Sequence, residues 1–316
     1  EFEIQMADTE RQYSYGRFEG ERTKTYYQIN APINRDNDIT IGVSTENEGY
    51  KSTFGNAEYE TRSIYGELLS QLNSNTDFSL SGRRDDHSAF GPHNSWRMAG
   101  VWRPNSNTSV RTAIASGYRA PSPYELFDEY SGNALLNPEI SQTVEFGLEH
   151  NSQSGTYYVS IFETDVKNKI VYSNSSGSYV QSSEKSTSQG VELGLEYIMS
   201  GSITVGGSYT YLDARDGSNV RLALVPRHDL GLNLSYHISP NTDATLIANS
   251  ISDRTDITPD VIGEDYTVVN GTLIHRLNNG SELFVEIQNI FNEEYQTTRG
   301  YGTSDRAFYI GVRGTF

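Results

Sequence analysis

The feature that most limits what this chain can become is a period-two alternation of apolar and polar residues that runs through nearly its whole length. In the last stretch Phe308, Ile310, Val312 and Phe316 fall on one face, and Tyr309, Gly311, Arg313 and Thr315 on the other. Leu283, Val285 and Ile287 alternate with Glu282, Phe284, Glu286 and Gln288; Val191, Leu193, Leu195 and Tyr197 with Gly190, Glu192, Gly194 and Glu196; Val144, Phe146 and Leu148 with Glu145, Gly147 and Glu149. Successive side chains of an extended strand point to opposite faces, so each run predicts a strand with one apolar and one polar side. Such strands divide a core from water, or lipid from a watery lumen.

The connections separate the two settings. Short polar turns (PINRDN, NSN, RPNSN, NSQSG, SG, ISPN, NNG) take turns with long segments of roughly 10 to 20 residues, centred near residues 15, 53, 90, 128, 177, 220, 259 and 299. A soluble sandwich has no reason to place its long loops at every second connection. An antiparallel outer-membrane barrel does, with short turns on the periplasmic rim and long loops on the cell surface. The scheme gives about 16 strands, and 316/16 is about 20 residues per strand plus connection. The expected fold is therefore all-β, an antiparallel transmembrane β-barrel, with residues 1–316 forming one barrel domain. If the final strand runs down to the periplasm, the long loops fall outside and Glu1 opens an upward strand, so the chain is expected to begin in mid-barrel.

Composition removes other classes. The sequence has no Cys, which excludes a disulfide framework, a thiolate metal site and a cysteine nucleophile. Its net charge is 24 − 41 = −17, the wrong sign for a phosphate-binding groove, so no nucleic-acid partner is expected. No apolar run reaches the roughly 18 to 20 residues of a membrane-spanning helix. The 22 Tyr, with 12 Phe and 2 Trp, suit interfaces, where a ring meets apolar surface and a hydroxyl meets water. Enzyme signatures such as G-x-S-x-G, H-E-x-x-H and the P-loop are missing, and the chain is read as a non-enzyme without cofactor.

Several stretches carry a family resemblance: GYRAPSPYELF (117–127), NPEISQTVEFGLEH from Asn137, SQGVELGLEY from Ser188, YTYLDARD from Tyr209, PRHDLGLNLSY from Pro226, IQNIFNEEYQTTRGY from Ile287, and the closing strand to Phe316. In this order they resemble the C-terminal part of TonB-dependent outer-membrane receptors. The RRDDHSAFG stretch at Arg83 and the final segment are most similar to the cobalamin (vitamin B12) branch. The resemblance implies energy-coupled uptake of a bulky, scarce ligand in the outer membrane of a Gram-negative bacterium, through a 22-stranded barrel closed by an N-terminal plug. It implies cobalamin or a ferric siderophore as ligand, and TonB as partner through a segment missing here. Outer-membrane lipid, lipopolysaccharide and the barrel assembly machinery are further implied partners. With about 16 strands of the 22 and the plug absent, this chain is expected to be a fragment, with calcium-binding loops also outside it. The terminal Phe316 resembles an assembly signal. A 16-stranded diffusion porin and a soluble all-β binding protein are the rival readings.

Candidate residues follow from position. Glu145, Glu149, Glu192, Glu196 and Glu286 are expected on the lumenal wall, with Arg83, Arg97, Arg111 and Arg313 as partners able to pair bidentately with carboxylates. The plainer account of these groups is the hydrated lining that any wide barrel needs. Tyr124, Phe127, Tyr130, Tyr172, Tyr179, Arg254, Tyr295, Arg299 and Tyr301 lie in loops and are candidate ligand contacts, since loops on a rigid wall carry selectivity. Acid-rich stretches (Asp85-Asp86; Asp213 with Asp216; Asp253, Asp256, Asp260, Glu264 and Asp265) lack metal-site spacing and read as solvated charge. His87 and His93 read as a surface pair, not metal ligands. Residues 117–123, with Ala-Pro-Ser-Pro, read as a turn leaving a strand.

Overall fold

The fold is seen in a computed structural model, which describes all residues except 14–15, 54, 257–262, 279 and 315–316. Its strands are β1 (Phe2–Tyr13), β2 (Gly16–Asn34), β3 (Asn37–Ser52), β4 (Gly55–Asn73), β5 (Thr76–His87), β6 (Gly91–Asn105), β7 (Thr108–Arg119), β8 (Glu139–Ser152) and β9 (Gly155–Lys167). There follow β10 (Ile170–Ser173), β11 (Ser178–Gln181), β12 (Ser186–Ser200), β13 (Ile203–Arg215), β14 (Pro226–Ser239), β15 (Thr242–Arg254), β16 (Tyr266–Arg276), β17 (Glu282–Gln288) and β18 (Ala307–Arg313). Among the described residues one short helix, α1 (Pro123–Phe127), interrupts them.

Sixteen strands form one antiparallel sheet in chain order, with β9 joined directly to β12 because β10 and β11 leave the wall as a separate hairpin. Among the described residues, β1 and β18 are each paired on one side only. Every strand-to-strand register keeps like faces together. Val144 and Phe146 lie on the same face as Ile161, Val191 and Leu193, and Glu145 lies opposite Ala113 and Phe162 on the other face.

The apolar face is bare: Ile161 is 50% exposed and Leu193 43%. A soluble protein would cover that surface, and in a membrane it meets lipid.

Three expected loops are mostly strand. Around residues 15, 53 and 90, long strands run on almost to one another, β1 towards β2, β3 towards β4, and β5 towards β6. β2 and β4 each run for 19 residues, about 60 Å at roughly 3.3 Å per residue. Even tilted by about 45° they outrun a hydrocarbon core of about 30 Å. Beyond lipid no apolar face is needed, and the ladder with charge pairs such as Arg22–Glu46 continues the strand.

The inner face accommodates large rings by pairing them with glycine. Tyr65 lies across Gly42 on the neighbouring strand, and Tyr158 across Gly194; a Cβ at either glycine would clash, with the Tyr65 Cζ or with the Tyr158 Cε1.

Candidate functional site

The polar face of the sheet is the inner one, because the helix that folds back from the β7–β8 connection packs on it, against β3 and β4. On that face Arg83 donates to Asp85 at 2.7 Å and to Ser63 at 2.7 Å, and lies over the Tyr65 ring. Arg111 pairs with Glu149 at 3.0 Å, and Glu145 accepts from Ser160 at 3.3 Å. Arg97 donates to Ser79, and Glu286 accepts from Gln288. Arg313 sits 3.5 Å from Glu282 and over Phe284. Glu192 and Glu196 share this face, and no cation pairs with them among the described residues.

Two sequence expectations fail along this wall. Asp85, expected as solvated loop charge, is buried and held by Arg83 and Ser63. His87, expected at the surface with His93, is only 4% exposed, between Tyr59 and Phe90, and its Nδ1 accepts from the Ala89 N–H. His93 instead stacks on Tyr118 at 4.3 Å. Both errors have one cause: the segments on either side of residue 90 are strand with an inward side, and alternate residues turn to the wall interior.

The connection from β7 to β8 contains the most elaborate local structure. The Ala-Pro-Ser-Pro run does leave a strand, but it also starts α1. Ser122 caps the helix by accepting from the Glu125 N–H at 3.2 Å, Glu125 accepts from the Ser122 N–H at 2.7 Å, and Pro123 stands in the first turn. This reciprocal cap was legible as S-x-x-E with Pro between. Leu126 of α1, Leu136 and Ile170 form a small buried core, against which Tyr59, Phe90 and Tyr179 pack. The β10–β11 hairpin is tied in by the Tyr179 N–H donating to the Ser131 carbonyl, and by Asn133 Nδ2 donating to the Tyr179 carbonyl. Residues 120–138 and the hairpin thus form one unit, a cap on the loop end of the inner wall.

The cap gathers aromatic candidates. Tyr124 meets Phe18, Tyr50 and Tyr179 edge to face, Tyr179 meets Tyr172, and Phe127 stacks on Tyr59. Tyr130 and Tyr172 stay well exposed. The candidates near the C-terminus form a second group, in the β17–β18 connection. Tyr295 packs on Tyr266 at 4.4 Å, and Arg299 and Tyr301 are exposed. Arg254 is buried. Its two terminal nitrogens donate to the carbonyls of Gln296 and Thr297 at 2.7 and 2.6 Å, so its fork clamps that connection to β15.

One cation holds two carboxylates at the cap. Arg119, at the end of β7, donates to Glu139 at 2.7 Å and to both oxygens of Glu125 at 3.0 and 3.2 Å. Burial alone pushes the Glu125 carboxyl up, but the bonds from Arg119 and Ser122 outweigh it and hold the group below its ordinary value. Near the ends of β13 and β15, Asp213 is bound by Arg215 and Arg227, and Asp253 by Arg221 and Arg227, so these acids are paired and not merely solvated. No group of three or more metal-ligating side chains occurs among the described residues. Asp260 and Phe316 lie outside them.

Residues 3–290 match the family model for the TonB dependent receptor-like β-barrel. The vitamin B12 transporter BtuB of Photobacterium profundum is 23% identical over 300 residues, which are 92% of this chain and 49% of that protein. The vitamin B12 transporter BtuB of Vibrio vulnificus is 24% identical over 232 residues, 72% of this chain and 37% of that protein. The chain therefore spans about half, or less, of these curated relatives. Among solved structures, the siderophore receptor PirA from Pseudomonas aeruginosa superposes with a TM-score of 0.81 at 17% identity, over 98% of this chain and 60% of that one.

Proposed function

The chain belongs to the TonB-dependent receptor β-barrel family and is a protein of the Gram-negative outer membrane; on that premise we propose that it forms the capturing wall of a receptor for a corrinoid, cobalamin foremost. The observation that carries the ligand is the cap. It offers an aromatic surface whose central cation, the Arg119 guanidinium, is consumed by Glu125 and Glu139. A large ring system fringed with amides binds such a surface by stacking and by hydrogen bonds to hydroxyls. An anionic ferric catecholate meets Glu129 and the overall −17 instead, which weighs against it.

In this reading Tyr124, Phe127, Tyr130, Tyr172 and Tyr179 are the ligand contacts on one side of the mouth. Tyr295, Arg299 and Tyr301 supply the other, with Arg254 positioning them. The lumenal carboxylates and arginines line the wall. Coupling through TonB, insertion by the barrel assembly machinery and contact with lipopolysaccharide belong to the proposal for the whole receptor. No catalytic step is assigned.

The test is binding of radiolabelled cobalamin to cells expressing the full-length protein. Saturable binding that excess unlabelled cobalamin displaces, and a ferric siderophore does not, is expected. Saturable binding of the ferric siderophore alone would overturn the ligand.

A further inference from the structure

Arg119 occupies a place that the strand ladder does not require. Its ladder partner is Glu139, the first residue of β8, and that pairing needs only backbone. The side chain does something more, because it spans three elements. Nε reaches Glu139, and the terminal nitrogens reach Glu125 in α1. Glu139 passes the connection on, since its second oxygen accepts from the Ile170 N–H at 2.7 Å, where β10 begins. Glu125 likewise holds the Ser122 N–H and hydroxyl, and its own carbonyl accepts from the Asn133 N–H. The helix and the head of β8 therefore meet at one guanidinium, and the hairpin joins them through Glu139.

We infer that Arg119 is the positioning residue of the ligand face: by bridging Glu125 and Glu139 it locks α1 to the β10–β11 hairpin, and so fixes Tyr124, Tyr172 and Tyr179 as one rigid aromatic surface. This rests on the proposal that the cap contacts the ligand. Arg119 itself touches no ligand in this account. The bridge needs a planar fork with several donors, because two carboxylates on different elements must be satisfied at once. Removing it leaves two half-buried carboxylates facing one another without a cation between them, which costs more than the lost hydrogen bonds alone. The small core of Leu126, Leu136 and Ile170 then carries the cap by itself.

The experiment uses the full-length receptor in detergent, with hydrogen exchange read over residues 120–138 and 168–185 and cobalamin binding read in parallel. In Arg119→Ala, exchange over both segments should rise about tenfold or more, while the amides of β12 to β16 keep their wild-type rates. Cobalamin affinity should fall by a similar factor. Arg119→Lys, which keeps the charge but not the fork, should recover only part of either loss. Wild-type affinity should also weaken as the pH falls below 4.5, the ordinary value of Glu125, and Arg119→Ala should lose that acid step. Unchanged exchange in Arg119→Ala overturns the inference, as does full recovery by lysine or loosened exchange with unchanged affinity. Should the alanine variant fail to assemble, the lysine variant decides between these outcomes. A wild-type receptor that binds no cobalamin removes the ligand reading instead, and the exchange rates still decide whether Arg119 locks the cap.

Discussion

The wall and the cap are built on opposite principles. The wall has almost no buried apolar residue: Leu193 and Ile161 stand exposed on its outer face, and the inner face is polar. Its order comes from sixteen strands that satisfy each other's backbone groups, which in lipid is obligatory. The cap has a helix, a hairpin, a three-residue buried core that also packs on Tyr59 of the wall, and a charge hub. One chain thus carries two kinds of stability. The wall depends on lipid outside it, and the cap depends on water being excluded within it.

Variants can break this contrast in order of size. Leu126→Ala, emptying a buried position of the cap core, should cost the cap about 2–5 kcal/mol. Hydrogen exchange over residues 120–138 should rise steeply, while heat-modifiable gel mobility, a property of the wall, stays as it was. Leu193→Arg, in mid-strand on the lipid face, should do the reverse. It should cost about 2–4 kcal/mol of wall stability at the bilayer midplane, measured by unfolding in lipid vesicles, with the cap unaffected once folded. If Leu126→Ala unfolds the wall as well, the two regions are one cooperative unit and the contrast fails. Gly194→Ala should expel the Tyr158 ring from its seat at a cost of about 1–3 kcal/mol, seen as a loss of wall stability without change in the cap. Smallest among the substitutions, Ser122→Ala removes one side of the helix cap for about 0.5–2 kcal/mol, read by exchange at the amides of α1. Acid should sharpen the same contrast. A carboxyl held below its ordinary value contributes stability that is complete above that value and lost as pH falls through the lower folded one, so the Glu125 contribution is present above pH 4.5 and disappears below it. Circular dichroism should report the wall intact under conditions where cap exchange has already accelerated.

The wall was legible in the sequence and the cap was not, for a physical reason. Alternation such as Val191 to Tyr197 has a single structural solution once lipid and lumen lie on either side, and from it came the number of strands and their antiparallel order. Strand length is not legible, because above the membrane the apolar face ends while the hydrogen-bond ladder continues. The segment centred near residue 15 therefore reads as loop, yet β2 already begins at Gly16. In the cap, the Ser122–Glu125 signature was readable as local chemistry, and its neighbours were not. Nothing near Ile170 announces that its N–H will meet Glu139, and nothing near Arg254 announces the carbonyls of Gln296 and Thr297. Those contacts join residues 31, 42 and 43 positions apart, which come together only once the strands are paired.

The glycines beside Tyr65 and Tyr158 have a consequence for substitution. A tyrosine whose cross-strand neighbour carries a Cβ must turn away from it, whereas one beside a bare Cα can rest against the neighbouring strand. Ring and glycine therefore change only together, and each such pair acts as a single unit of the inner face.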